Sequence, residues 1–419
     1  MQGKIINQLA QAYNKKVDIV KSSGKGDSSG GIFFRIMADY YESVLTAKTR
    51  GTPLAWSGLF IPIEILYAMD IMPFMVEQAV TAFVYEKGEV EEYTDAAADV
   101  GISQELCSVH RNLMGMGLKK DMPAPDVIVS TSQTCDVILK NYEALGHYFE
   151  CPMYFLDFPY WDSKAAITYY QKEIEGLIVF LEKHTGKTFQ EDRLFEVLEL
   201  SNRLDDLFKQ ISHLKRSVPT PIGMRDAIAH FSVRQVLAGT QPGVEYFQSV
   251  LDECRSLVNS PKGSADNQRI RLLWLYVPIY FELRLYRWLE KKYGAVVVMD
   301  TMSYVGDEPM DLSLPPLEYL TRKAFNQFIT AQYCRPVDKF LSDVVKMANE
   351  FKADACIYLA HIGCKHGCAS IRMLRDAVEE ECEIPFFTLD ADSLDPTVVS
   401  SQELKQKLAE FMEIIEDDL

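Results

Sequence analysis

Short apolar segments that alternate with amphipathic helices constrain the fold of this chain more than any other feature. The clearest apolar segments lie at 126–130, 152–158, 295–300, 355–360 and 384–390. Apolar residues at helical spacing lie between or after them, for example at 336–351 and 401–416. Strands that alternate with helices predict parallel sheets with right-handed crossovers. We therefore predict an α/β fold with two α/β units and an attached helical region.

The length of 419 residues exceeds what one ordinary hydrophobic core accommodates. We predict an N-terminal helical segment at 1–50, a first α/β domain at 51–162, a helical region at 163–293 and a second α/β domain at 294–419. The glycine-rich stretch at 22–31 lacks the residue order of a phosphate-binding loop, and no strand precedes it. It is interpreted as a flexible linker, so no ATP site is predicted in this chain.

Composition narrows the classes of function. With 48% hydrophobic and 25% charged residues, the chain is typical of a soluble globular protein. The net charge of -17 argues against a general nucleic-acid partner. The N-terminus has no apolar signal core, and the apolar stretch from Leu272 to Leu289 is interrupted by Pro278, Glu282 and two arginines. We expect a cytoplasmic protein with no membrane partner, in which cysteines are free thiols or metal ligands.

Three cysteines far apart in the chain sit in loops or helix starts beside predicted strands. Cys135 follows the apolar segment at 127–129, Cys364 follows the one at 355–360, and Cys107 precedes the first of these strands. Open α/β sheets bind ligands beyond the carboxyl ends of their strands. Thiolates placed there can converge on one soft-metal centre, and three of them would hold an iron–sulfur cubane while leaving one iron free.

Two other interpretations of the cysteines stay open on spacing alone. A cysteine in an α/β protein is commonly a small buried hydrophobe, the interpretation assigned to Cys151, Cys254, Cys356 and Cys382; Cys334 is left without a role. The segment at 361–368 carries two histidines and two cysteines that could bind zinc. Its Cys364-x₃-Cys368 spacing, however, matches no common structural zinc pair.

The sequence around the three cysteines resembles the 2-hydroxyacyl-CoA dehydratase family, which also includes the ATP-dependent benzoyl-CoA reductases. The resemblance covers about residues 50 to 416 and rests on the segments at 56–64 (WSGLFIPIE), 106–111 (LCSVHR), 121–126 (DMPAPD), 134–143 (TCDVILKNYE), 364–365 (CK) and 390–396 (DADSLDP). It implies two flavodoxin-like parallel-sheet units with an additional helical domain. It also implies that Cys107, Cys135 and Cys364 ligate one [4Fe–4S] cluster. Cys368 is an alternative to Cys364.

The resemblance further implies an enzyme of anaerobic metabolism that acts on an acyl-CoA. Family members work as two related subunits, fed with electrons by a separate ATP-hydrolysing iron–sulfur activator; for this chain the second subunit is either a related protein or a second copy. The leading hypothesis is a 2-hydroxyacyl-CoA dehydratase, a lyase that eliminates water through a one-electron-reduced ketyl radical. The alternatives are a benzoyl-CoA reductase subunit and a non-catalytic electron-relay subunit.

Two further residues are candidates for catalysis. Ser57, in the Trp56-Ser57 element, is predicted to hydrogen-bond the hydroxyl or a water at the open iron, and the alternative is an ordinary helix N-cap. Glu77 is predicted as a base or supporting acceptor, and the alternative is a solvated carboxylate at a helix start. Basic residues that could contact CoA are Lys119, Lys120, Lys365 and Arg372.

Overall fold

The computed structural model describes residues 3–88, 90–133, 135–258, 263–305, 313–326 and 335–418. Thr134 and Cys334 lie outside the described residues. The first part of the chain contains α1 (Lys4–Ser22), α2 (Ser29–Thr46), β1 (Leu54–Ser57), α3 (Ile63–Ala68), β2 (Met72–Met75), α4 (Val76–Lys87), α5 (Glu91–Asp99), α6 (Ser108–Leu118), β3 (Val127–Thr131), α7 (Asp136–Phe149) and β4 (Met153–Leu156).

Four long helices then connect this part to a second sheet. They are α8 (Lys164–Thr185), α9 (Glu191–Leu214), α10 (Met224–Leu237) and α11 (Gln241–Val258). The second part contains β5 (Ile270–Leu275), α12 (Arg284–Tyr293), β6 (Ala295–Asp300), α13 (Pro316–Asn326), α14 (Val337–Glu350), β7 (Ala355–His361), α15 (Lys365–Ala369), α16 (Ile371–Cys382), β8 (Phe386–Ala391) and α17 (Ser401–Asp418).

Each part is built on a parallel sheet of four strands with the same topology. The first sheet has the order β2-β1-β3-β4 and the second has the order β6-β5-β7-β8. Both orders are the 2-1-3-4 arrangement of flavodoxin-like sheets, which reverses direction between the first and third strands. The structure therefore confirms the predicted α/β fold with two flavodoxin-like units and additional helices.

Strand β5 corrects the sequence interpretation, which placed helices up to about residue 293. Residues 270–275 instead form a central strand that pairs with β6 on one side and β7 on the other. All six residues of this strand are buried, so its sequence lacks the alternation that distinguishes a strand from a buried helix. The short strand β1 was missed for the same reason. The predicted domain limits stay predictions.

The helices cover the sheets and contribute large apolar clusters. Helices α1, α2, α4, α9 and α11 pack with the first sheet around buried residues such as Tyr41, Phe83 and Phe247. The second sheet is buried between a cluster that includes Trp274 and one that includes Tyr358. Among the described residues, no helix is long and apolar enough to cross a membrane.

Two helical glycines provide a test of this packing. A Cβ at Gly115 in α6 would lie 1.9 Å from the backbone oxygen of Tyr93 in α5, whereas a Cβ at Gly146 in α7 would meet nothing closer than 3.7 Å. We expect Gly115→Ala to lower the free energy of unfolding by roughly 2 kcal/mol or more, because the helices must separate. Gly146→Ala is the matched control and should leave stability unchanged or raise it by up to about 1 kcal/mol. Urea unfolding measures both, and equal stability of the two variants would contradict the close α5–α6 contact.

Candidate active site between the two sheets

The three predicted cysteines each occupy the N-cap of a helix. Cys107 precedes α6, Cys135 precedes α7 and Cys364 precedes α15. Cys135 follows β3 and Cys364 follows β7, so each lies at the carboxyl edge of its sheet, next to the position where the strand order reverses. The partial positive charge of a helix N-terminus favours an anionic thiolate at this position.

The loops that carry these cysteines meet between the two sheets. A Cβ at Gly363 would lie 2.7 Å from the Cα of Cys107, so the absence of a side chain at Gly363 allows the two backbones to touch. The electrostatic influence of both Cys135 and Cys364 raises the pKa of Cys107, after the larger effect of burial. Burial likewise raises the pKa of Cys135 to about 12, with a smaller contribution from Cys364. The three thiols thus share one electrostatic environment.

A buried polar network holds the two loop systems together. The Ser108 hydroxyl donates to Asp392, and the Arg111 guanidinium donates to Asp395 at 3.1 Å. A second Arg111 nitrogen donates to the backbone oxygen of Leu106 at 3.1 Å, which orders the loop before Cys107. Burial alone would raise the pKa of Asp395, but hydrogen bonds from Thr397 and Arg111 outweigh it and hold the pKa below its usual value. The acidic segment after β8 therefore anchors the start of α6.

Each thiol also faces a polar side chain. His361 Nε2 lies 3.2 Å from Cys107 Sγ, and the Tyr276 hydroxyl donates to Cys364 Sγ at 2.5 Å. His110 Nε2 lies 4.0 Å from Cys135 Sγ. Burial lowers the pKa of His110 to about 4, with a smaller contribution from His361, so the ring is neutral at physiological pH. The roles of His110 and Tyr276 were not predicted from the sequence, although the Cys107-x-x-His110 and His361-x-x-Cys364 spacings were signals for the two histidines.

Ser57 is buried at the end of β1, and its hydroxyl has no hydrogen-bond partner. The alternative role as a helix N-cap is wrong, because Ser57 belongs to a strand and α3 begins at Ile63 after Pro62. Its backbone oxygen accepts a hydrogen bond from the Tyr142 hydroxyl at 3.3 Å. An unpaired hydroxyl in the protein interior costs stability, so this one is available to a ligand that can accept or donate a hydrogen bond.

Glu77 lies in the first turn of α4 with only 2% of its surface exposed, and neither carboxylate oxygen has a hydrogen-bond partner. The alternative of a solvated helix-start carboxylate is therefore wrong. Burial raises the pKa of Glu77 to about 7, while the nearby Tyr142 hydroxyl and the backbone of Glu77 and Leu59 oppose the increase. A carboxyl group with this pKa can exchange a proton near neutral pH.

The other cysteines and the basic residues that could contact CoA differ in exposure and in distance from the three thiols. Cys368 is partly exposed, and its thiol faces the backbone oxygen of His361 at 3.5 Å. Cys254 and Cys356 are buried as expected, whereas Cys151 and Cys382 are partly exposed. Lys365 and Arg372 are exposed near Cys364. Lys119 and Lys120 follow the far end of α6, about 16 Å from Cys107 by helix length.

The three thiols supply the ligand chemistry that an iron–sulfur cluster requires. Within the described residues, no group of three or more His, Cys, Asp or Glu side chains is arranged to hold one metal ion. For the zinc alternative, His361 faces Cys107 while Cys364 faces Tyr276, so these two side chains of the 361–368 segment point to different partners. A cubane offers each thiolate a different iron, so its ligands converge without touching one another. Three cysteine thiols at helix N-termini, beside an unpaired hydroxyl and an unpaired carboxyl group, fit that requirement.

Comparison with known proteins identifies the family. A family model described as 2-hydroxyglutaryl-CoA dehydratase, D-component, matches residues 58–415. The chain belongs to this family.

Curated relatives extend the match over most of the chain. It is 22% identical over 393 residues to the (R)-2-hydroxyisocaproyl-CoA dehydratase alpha subunit of Clostridioides difficile, which covers 91% of this chain and 95% of the relative. It is 23% identical over 381 residues to the (R)-phenyllactyl-CoA dehydratase alpha subunit of Clostridium sporogenes, covering 88% and 91%. A benzoyl-CoA reductase subunit of Thauera aromatica is 24% identical over 349 residues, covering 76% and 79%.

These matches confirm the family resemblance inferred from the cysteine segments. This member of the D-component family is a subunit of an enzyme of the 2-hydroxyacyl-CoA dehydratase and benzoyl-CoA reductase type. The matched range contains the three cysteines and Glu77, and it begins directly after Ser57.

The raised pKa of Glu77 predicts how the free energy of unfolding depends on pH. The carboxyl pKa rises from 4.5 to about 7 on folding, so the folded state binds more protons between these values. Ionisation of Glu77 therefore destabilises the fold increasingly as pH rises through this range, by roughly 3 kcal/mol in full. Glu77→Gln removes the charge, so its stability advantage over wild type should be roughly 2 kcal/mol larger at pH 8 than at pH 5. Urea unfolding at both pH values measures this.

The matched control is Glu379→Gln, which changes an exposed carboxylate on α16. Its effect on stability should be small at both pH values. A Glu77→Gln variant whose stability relative to wild type does not change between pH 5 and pH 8 would contradict the buried, unpaired state of this carboxyl group.

Proposed function

We propose that this chain is the iron–sulfur subunit of a 2-hydroxyacyl-CoA dehydratase and that Cys107, Cys135 and Cys364 hold one [4Fe–4S] cluster. The observation that carries the proposal is the meeting of three cysteine N-caps from both sheets at one site. Glu77 acts on the pKa of Cys135, and Tyr142, which lies near Glu77, donates to the backbone oxygen of Ser57. The names of the dehydratase alpha subunits among the relatives support the substrate class, a 2-hydroxyacyl-CoA.

The residues of this chain have distinct roles in the proposed reaction. When bound, the cluster would supply one electron to the thioester carbonyl of the substrate. The ketyl radical anion formed on the substrate would expel the neighbouring hydroxyl as hydroxide and leave an enoxy radical whose β-proton is acidic. Cys107, Cys135 and Cys364 would bind the cluster, and backbone hydrogen bonds at the starts of α6 and α7 would partly offset the cost of burying the Cys107 and Cys135 thiolates. The Ser57 hydroxyl donates a hydrogen bond that orients the substrate hydroxyl. Glu77 accepts a proton at a carboxylate oxygen, as its pKa of about 7 allows. Loss of the β-proton leaves a radical anion of the enoyl-CoA that would give the electron back, and the proton and the hydroxide leave as water, so dehydration has no net redox change.

The names of the same relatives also indicate the protein partners of this chain. These relatives are each named as one subunit of a larger enzyme, so we propose a second, related subunit or a second copy of this chain. A separate ATP-hydrolysing iron–sulfur activator would deliver the electron. The proposed cellular location is the cytoplasm.

A benzoyl-CoA reductase subunit is the second candidate, favoured by the match to the reductase subunit of Thauera aromatica. Both activities use the same arrangement of thiols, but the reductase consumes electrons in proportion to product. An electron-relay subunit without catalysis is the third candidate. Anaerobic assay of the assembled complex with activator, ATP and each CoA ester distinguishes them. A 2-hydroxyacyl-CoA dehydratase forms enoyl-CoA with only catalytic amounts of reductant, whereas consumption of reductant in proportion to product would favour the reductase.

Metal analysis tests the ligand set. Anaerobically purified wild type should contain about four irons and four sulfides per chain. Cys107→Ser, Cys135→Ser and Cys364→Ser should each lose most of this iron, whereas Cys368→Ser should keep it. The matched control is Cys151→Ser, which changes another partly exposed cysteine remote from these helix starts. Stoichiometric zinc in place of iron would overturn the proposed cofactor, and loss of iron in Cys368→Ser but not in Cys364→Ser would reassign the third ligand.

Ser57→Ala and Glu77→Gln test the catalytic roles. Both variants should keep the iron and sulfide content of wild type, because neither residue is a proposed ligand. The kcat of Glu77→Gln should fall by about 10²-fold or more, as is typical when a general acid–base group is removed. The kcat of Ser57→Ala should also fall, because the hydrogen bond that orients the substrate is lost. Wild-type kcat in either variant would show that its side chain has no part in the reaction.

A further inference from the structure

Every proposed cluster thiol has its own polar side chain aimed at the sulfur. His361 Nε2 lies 3.2 Å from Cys107 Sγ, His110 Nε2 lies 4.0 Å from Cys135 Sγ, and the Tyr276 hydroxyl lies 2.5 Å from Cys364 Sγ. We refer to His361, His110 and Tyr276 as the sulfur-facing trio. They come from three different elements: the end of β7, the first turn of α6 and the loop after β5.

The direction of the His361 hydrogen bond follows from its other ring nitrogen. The backbone N–H of Ser393 donates to His361 Nδ1 at 3.2 Å, so Nδ1 carries a lone pair and no proton. The neutral ring must then carry its proton on Nε2, which is the atom that faces Cys107. Asp392 lies 3.6 Å from Nδ1, too far for a hydrogen bond, so it does not compete for that position. His361 is thus held as a donor to Cys107.

His110 is held in the same way by Asn141. The side-chain nitrogen of Asn141 donates to the backbone oxygen of His110 at 3.1 Å, which identifies it as the amide nitrogen. The same nitrogen lies 3.4 Å from His110 Nδ1, so Nδ1 accepts and the ring proton lies on Nε2. That proton points to Cys135. Two buried histidines therefore have the same tautomer, each oriented by a donor behind it.

Tyr276 has an unusual backbone conformation that directs its side chain to Cys364. Its φ of 79° is in the left-handed region, which a bulky aromatic residue rarely adopts. Thr301 holds it there, because its hydroxyl oxygen accepts from Tyr276 N at 2.9 Å and donates to Tyr276 O at 3.0 Å. The Tyr276 ring stacks on Tyr358 and packs against Gly367, where a Cβ would lie 2.4 Å from the ring. A strained residue kept in place by its surroundings is a pointer to function.

We propose that the sulfur-facing trio consists of positioning residues that donate hydrogen bonds to the three thiolate sulfurs and raise the reduction potential of the cluster. This inference rests on the cluster proposed above. Hydrogen bonds to the sulfurs are among the factors that set the potential of an iron–sulfur centre. Reduction adds negative charge, and a hydrogen bond to a more negative acceptor is stronger. The trio therefore stabilises the reduced state more than the oxidised state, which eases acceptance of the electron.

A redox titration followed by EPR spectroscopy tests the proposal on the anaerobically purified chain. Tyr276→Phe deletes one hydroxyl and keeps the ring. His361→Leu removes the donor to Cys107, and His361→Gln restores an N–H near the position of Nε2. Tyr276→Phe and His361→Leu should each lower the equilibrium constant for one-electron reduction about tenfold, which corresponds to a potential about 59 mV more negative. His361→Gln should recover most of that change.

The matched control is Tyr293→Phe. Tyr293 is a buried tyrosine at the end of α12 whose hydroxyl has no hydrogen-bond partner. Its removal should leave the potential unchanged.

The possible results of these measurements test the role of the trio separately from the presence of the proposed cluster. Wild type without iron and sulfide would refute the cluster, and the role of the trio with it. Wild type and Tyr276→Phe with equal iron content and equal potentials would overturn the role of the trio alone. Loss of the cluster from Tyr276→Phe, with the fold retained, would also overturn it, because a donor to sulfur is not needed for ligation. A shift in Tyr276→Phe and His361→Leu, with rescue by His361→Gln and none in Tyr293→Phe, supports the proposal.

Discussion

The site depends on one buried contact between the two parts of the molecule. Arg111 at the start of α6 binds Asp395 beyond β8, and Ser108 binds Asp392 in the same segment. Because α6 also begins at Cys107, this contact fixes a thiol from one part against the loop after β7 that carries Cys364. Breaking a buried ion pair by removing one partner typically costs 3–5 kcal/mol, about the range of a large core deletion. The convergence of the thiols is therefore held by polar contacts that surround them.

The buried polar groups around the thiols differ from one another in how far their hydrogen bonds are satisfied. Around the acidic segment, Asp392 accepts hydrogen bonds from the backbone of Leu394 and Asp395 as well as from Ser108. Ser57 and Glu77, in contrast, are buried with no partner. Each such group costs about 1–3 kcal/mol of stability, so the fold tolerates strain at this location. The hydrogen-bonded Asp392 and the unpaired Ser57 and Glu77 are thus consistent with a functional site, where proteins tolerate locally unfavourable residues.

Much of the fold and part of the site could be predicted from sequence. The alternation of elements predicted both sheets, because apolar segments such as 355–360 lie between clear helical patterns. The segments that resemble the family predicted which three cysteines belong to the site. Strand β5 was missed because a fully buried strand has no alternation. The burial of Glu77 and Ser57 could not be predicted from the sequence, since the exposure of a side chain depends on which residues from elsewhere in the chain pack over it. The same applies to Tyr276, whose relation to Cys364 requires two neighbouring strands to end side by side.

The origin of the thiols on two separate sheets has a consequence for cooperativity. Cys107 and Cys135 belong to the first part, and Cys364 belongs to the second. A ligand that bound all three at once would stabilise the contact between the two parts and, by reciprocity, would be bound more tightly when that contact is stabilised. A substitution at Asp395 would therefore weaken the retention of a ligand held by all three thiols, and such a ligand would in turn stabilise the Arg111–Asp395 contact. A substitution in the Arg111–Asp395 contact would then change the free energy of ligand binding at the thiols, although neither residue contacts the ligand.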